Sequence, residues 1–205
     1  MKYFAAPALL AALVLANAAQ AQTAAVLDAT LVEKYLAATF GKAPPEWLAR
    51  VQPDETIAAC NAWRNNPPDA EAQAILKRER ARIELPKDGI FLGDWKAGLK
   101  IANEGRGGQF SDPPGTVSGG NCYACHQLDP AEVSYGTLGP SLKAYGRERG
   151  FDPQEARSAY IKIYDSQAVA ACSNMPRFGV NKVLSEQQIK DLTAYLFDPA
   201  SPVNK

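Results

Sequence analysis

One histidine, His126, stands among 205 residues, and that scarcity excludes a metal site built on several imidazoles. An excess of charge is missing too: 22 Lys and Arg balance 22 Asp and Glu. Such a balance argues against nucleic acid or a strongly anionic surface as the main partner. Beyond the N-terminal stretch, no run approaches the roughly 20 apolar residues that a membrane helix needs, so no span is expected in the mature chain. Internal repeats, heptads and alternating strand patterns of useful length are also lacking. Cysteine is sparse, at positions 60, 122, 125 and 172.

What is present begins with "MKYFAAPALLAALVLANAAQAQ". It carries one basic residue, Lys2, then an apolar run, then Ala19-Gln20-Ala21 in the small-x-small form that signal peptidase accepts. This predicts a secretory leader over 1–21, cut after Ala21, and export to the periplasm; an uncleaved anchor is the alternative. Losing the leader removes one Lys and no acid, leaving 21 basic and 22 acidic side chains. Export also places the cysteines where unpaired thiols oxidise.

Residues 22–92 read as an N-terminal helical extension of three or four short helices punctuated by proline. Leu31, Tyr35 and Leu36 fall at helical spacing in one of them, and Ile57, Cys60 and Trp63 in another. The charged stretch "DAEAQAILKRERARIE" reads as a solvated helix face. A second unit is expected over 93–205. Asp94 is placed to cap a helix that buries Trp95, Leu99 and Ala102, and a loop rich in Gly, Ser and Pro follows. Near the end, Ser185 and Gln188 form a capping box and Leu184 and Ile189 a hydrophobic staple, ahead of a stripe of Ile189, Leu192 and Leu196. The fold class is mostly α.

The chemistry-bearing motif is "GGNCYACHQL". Structural zinc wants four protein ligands, usually two close pairs of Cys or His, and no second pair exists here. A thioredoxin-like dithiol expects a βαβ setting, which is missing. Covalent haem uses all three residues: Cys122 and Cys125 bond the two vinyl groups, and His126 reaches the iron. For the second axial position, Met175 is the only methionine left once the leader is removed, and it lies in the loop "CSNMPRFG". Cys172 is its rival, because a thiolate also binds iron. A ligating His needs an acceptor for its other nitrogen. The carbonyl of Pro140, in "GTLGPSLKAYG", is a candidate, with a plain surface turn as the alternative.

The helix before the motif, "CYACH", the Gly-Pro-x-Leu turn, the Met loop and the final amphipathic helix follow the order of class I cytochromes c over 93–199. About eighty residues follow the motif, unlike the cytochrome c′ type, where it lies near the chain end. "GDWKAGLKIANEGRGG", "GNCYACHQL", "YGTLGPSL", "CSNMPRFG", "LSEQQIKDL" and "DPASPVN" together resemble the SoxX family, the monohaem subunits of SoxAX cytochromes in bacterial thiosulfate oxidation. "MPRFG" is the most specific of these; the segment before residue 93 resembles longer SoxX forms less distinctively.

That resemblance implies one haem c and a heterodimer with a SoxA-type subunit. The complex would conjugate thiosulfate to a cysteine of the carrier SoxYZ, an L-cysteine S-thiosulfotransferase activity. In that setting this chain is not itself the catalyst. It accepts the released electrons and passes them to a soluble cytochrome c; a free-standing electron shuttle is the alternative. Arg177, two residues after Met175, is a candidate partner for a haem propionate. Cys60 and Cys172 are expected to form a disulfide between extension and Met loop, the competitor being two free thiols with Cys172 able to exchange with Met175.

Overall fold

The computed structural model describes residues 29–205 apart from 110 and 114, so the expected leader lies outside the described residues. All regular structure among them is helical. The chain divides into two compact units, 1–53 and 54–205. In the first, α1 (Ala29–Phe40) and α2 (Pro45–Val51) are short helices; α2 opens on proline and sets Arg50 over the Trp47 ring at 4.1 Å. Leu36 is half-buried, whereas Leu31 and Tyr35 are exposed. Two helices this short cannot enclose an apolar stripe.

The second compact unit opens at Asp54, within the segment expected as the extension. Asp54 caps α3 (Glu55–Ala62) by accepting from the Ile57 amide at 2.9 Å. The face α3 buries is Thr56 and Cys60, while Trp63 is exposed. This corrects the expected face of Ile57, Cys60 and Trp63. Thr56 is drawn inward because its hydroxyl donates to Glu79, and Cys60 because it is bonded to Cys172. α4 (Asp69–Arg80) carries acids in its first turn and bases in its last, which complements the helix dipole. It buries Ile75 and Glu79, so the charged stretch is not simply a solvated face. The Cys60–Cys172 bond spans 112 residues, and closing so long a loop restrains the unfolded chain by about 4 to 5 kcal/mol on the chain-entropy account.

The core is built on the crossing of α5 (Trp95–Asn103) and α8 (Glu186–Phe197). Asp94 caps α5 by accepting from the Lys96 amide at 2.9 Å. A Cβ on Gly98 would lie 2.1 Å from the Asp191 carbonyl oxygen, so the helices meet this closely only because Gly98 has no side chain. Ser185 and Gln188 complete the capping box of α8, with bonds of 3.3 and 3.0 Å. From Ile189 to Phe197 every residue of α8 is buried. Around this pair lie α6 (Tyr145–Glu148) and α7 (Pro153–Tyr164), the latter capped by Asp152 and packed on α8. Asn204 fastens the chain end, accepting from the Gly146 amide at 3.0 Å and donating to the Leu196 carbonyl at 3.0 Å.

Candidate cofactor site

Residues Cys122–Ala124 form a single 3-10 turn, entered through Asn121 in the left-handed region at φ 45°. The amides of Cys125 and His126 both donate to the Cys122 carbonyl, at 3.1 and 2.9 Å, which folds the motif back on itself and draws its three reactive side chains into one short turn. Cys122 and Cys125 are free thiols. Cys122 packs against the main core, and burial pushes its thiol up to about 12, with the neighbouring Cys125 adding to the shift. Tyr123 ties the turn to α8 through a 3.0 Å hydroxyl–hydroxyl bond with buried Tyr195.

His126 is oriented from the other side. Its Nδ1 lies 2.7 Å from the Pro140 carbonyl. A carbonyl only accepts, so Nδ1 carries the proton and Nε2 keeps its lone pair for a metal. The Gly139 amide donates to the Cys125 carbonyl at 2.8 Å, and a Cβ on Gly139 would sit 2.2 Å from the imidazole Cε1. Glycine there lets the backbone lie flat against the ring. The Gly136 amide likewise donates to the Tyr123 carbonyl at 2.7 Å. The loop between these two anchors runs over the surface next to the motif.

Met175 is partly buried and packs against the same apolar cluster as Cys122. Ser166 donates to its carbonyl, and its amide donates to Ser173 Oγ at 3.3 Å. Cys172 is bonded to Cys60 and so has no thiolate to offer a metal. Arg177 is 6% exposed; its Nη1 donates to Glu79 at 3.2 Å and its Nη2 pairs with Asp54 at 2.8 Å. These pairs are what the structure gives the residue expected to meet a haem propionate. The two buried or half-buried carboxylates already neutralise the guanidinium, and leaving them for another anion would strand a charge in the interior.

Sequence reasoning missed the carboxyl cluster beneath this loop. Glu79 and Asp165 are both fully buried. Burial, then the contact with Glu79, pushes the Asp165 carboxyl up to about 7. Burial also pulls Glu79 upward, but hydrogen bonds from Asp165 and Thr56 and the charges of Arg82 and Arg177 hold it below the ordinary range. Asp165 Oδ1 accepts from the Gln167 amide at 2.9 Å, while its Oδ2 is buried without a hydrogen-bond partner, an environment that favours the neutral carboxyl. One signal was available: Glu79 lies four residues after Ile75, on the buried face of α4.

Comparison with known proteins bears directly on this arrangement. The cytochrome c family model matches residues 115–198, which contain the motif, Pro140, Met175 and all of α8. An uncharacterized lipoprotein of Aquifex aeolicus (strain VF5) is 37% identical over 156 residues, covering 74% of this chain and 73% of its own length. This chain contains a cytochrome c family domain. A cytochrome c domain implies covalently attached haem c and haem-based electron transfer. The residues present fit that group: two free thiols in one turn, an imidazole with Nε2 available, and a backbone without a Cβ against the ring. Among the described residues, no helix of this cytochrome c is long and apolar enough to cross a membrane.

Proposed function

We propose that this cytochrome c is a SoxX-type subunit, exported after cleavage at Ala21, which pairs with a SoxA-type cytochrome in the periplasm. There it receives, one at a time, the two electrons released when thiosulfate is joined to a SoxYZ cysteine and delivers each to a soluble cytochrome c. Cys122 and Cys125 hold the haem as thioethers, His126 Nε2 is the proximal ligand and the Met175 sulfur the distal one. When bound, the haem supplies a one-electron couple at its iron. With both axial positions taken by protein, no site remains for substrate, which suits an electron-transfer subunit rather than the transferase centre. The Pro140 carbonyl strengthens His126 as a ligand by holding its Nδ1 proton.

One observation carries the choice of a subunit over a free shuttle. The loop beside the motif exposes Val133 at 101%, Leu138 at 89% and Tyr135 at 41%. The nine residues 133–141 contain no charge. A shuttle that visits partners briefly relies on charge to steer its encounters, whereas an apolar, uncharged patch fits a lasting interface. The test is co-expression with a SoxA-type subunit followed by size-exclusion chromatography at low and high salt. Co-elution at both salt levels, abolished by Val133→Lys, is expected. A monomer that exchanges electrons with acidic or basic cytochromes in a salt-dependent way would instead establish the shuttle.

A further inference from the structure

The Met175 loop is held by a part of the chain outside the cytochrome c match. Before Met175, Cys172 is bonded to Cys60, and Asn65 Nδ2 donates to Asn174 Oδ1 at 3.4 Å. After it, Arg177 reaches Glu79 at 3.2 Å and Asp54 at 2.8 Å. Ahead of the loop, Arg80 Nε donates to the Ala168 carbonyl at 3.0 Å. Each of these attachments begins between residues 54 and 80, and together they grip both sides of one residue.

The chemistry of the grip is informative. A buried carboxylate pairs at a desolvation cost that apolar packing would avoid, so stability alone is a poor reason for Glu79. A guanidinium whose two terminal nitrogens engage two different carboxylates supplies direction, because its planar fork fixes the backbone it hangs from. Cys172 adds a second fixed point, in the left-handed region at φ 55°, which a residue with a Cβ rarely adopts unless its surroundings hold it there.

We infer that residues 54–80 form a clamp that positions Met175, with Glu79 and Arg177 as positioning residues that hold the loop so that an outside ligand cannot displace the thioether. The inference rests on Met175 as the distal ligand. Neither residue touches the reacting atoms; both act through the loop backbone.

The test is an imidazole titration of the ferric, full-length holoprotein followed by absorption. The native chain is compared with Met175→Ala, Glu79→Gln, Arg177→Lys and a control, Lys190→Gln, which removes the separate Lys190–Asp88 pair. Met175→Ala should bind imidazole most readily. Glu79→Gln should lower the half-saturating concentration about tenfold, as expected if the loop opens more often, Arg177→Lys should fall in between, and Lys190→Gln should match the native chain. Native-like titration of Glu79→Gln and Arg177→Lys beside an altered Met175→Ala overturns the clamp. If Met175→Ala itself titrates like the native chain, the ligand assignment fails, and the clamp is then decided by amide exchange. Exchange over 171–178 in Glu79→Gln, or in Asp54→Asn should Glu79→Gln not fold, must speed up about tenfold relative to 122–142; equal exchange in both segments sinks it.

Discussion

The two sides of the candidate haem site are held in different ways. On the His126 side, most anchors are close in sequence: the amide of Gly136 reaches Tyr123, that of Gly139 reaches Cys125, and the Pro140 carbonyl lies 14 residues from His126, with the Tyr123–Tyr195 hydroxyl bond, 72 residues apart, as the remote exception. On the Met175 side they are remote: Cys60 and Cys172 are 112 residues apart, and Glu79 and Arg177 are 98 apart. Local anchors close short loops at small entropic cost, while remote ones must offset a longer closure. The proximal half should therefore tolerate partial unfolding of the rest, and the distal half should be the first to respond when the 54–80 segment is disturbed.

The largest effect expected from this contrast is loss of the disulfide. Cys60→Ser with Cys172→Ser should lower unfolding stability by about 2 to 5 kcal/mol in urea denaturation, and amide exchange should rise over 171–178 before it rises over 122–142. Equal loosening of both segments would break the comparison. Next is Gly139→Ala, which drives a Cβ into the imidazole and should cost about 1 to 3 kcal/mol. It should also lower covalent haem yield in a pyridine haemochrome assay, leaving the distal loop's exchange unchanged.

Smaller, and specific to the distal side, is the pH dependence of Asp165. Its folded carboxyl holds a proton to about 7, against an ordinary value of 3.8. Between those values the unfolded chain releases a proton that the folded chain keeps, so this group's contribution to stability falls as pH rises toward 7 and is level above it. The lowered Glu79 and Asp54 act oppositely, gaining stability as pH rises toward 4.5 and 3.8 respectively. Over pH 5 to 7 Asp165 should thus dominate this cluster, with Lys162, Tyr164, Arg82 and Arg177 as its charged or titratable neighbours. Denaturation midpoints at pH 5 and pH 7 should differ less in Asp165→Asn than in the native chain; an unchanged difference would rule out the assignment of the proton to Asp165.

The same contrast explains what the sequence made legible. The capping box of α8, the Asp94 cap of α5 and the spacing of Cys122, Cys125 and His126 are all written within a few residues, so local chemistry reveals them. The turn at Pro140 sits only a loop away from the motif it serves. Arg177 was read from its neighbour Met175, yet its charge is matched by acids that fold back from the far side of the chain. Glu79 looked like one charge among many in "LKRERARIE", because only tertiary contact distinguishes a solvated glutamate from one enclosed with Thr56 and Asp165. The division at 54 was hidden for the same reason: residues 54–92 join the second compact unit through remote contacts such as Cys60–Cys172 and Glu79–Arg177, which no local pattern announces.

The central claim is that His126 and Met175 are the axial pair at a covalently held haem. Its most direct test compares the ferric absorption spectrum of the native holoprotein with that of Met175→Ala, following the weak long-wavelength band that marks sulfur on ferric iron. The account predicts a c-type spectrum with this band in the native protein and its loss in Met175→Ala. A c-type spectrum in which the band is absent from the native protein, or survives in the variant, would contradict it.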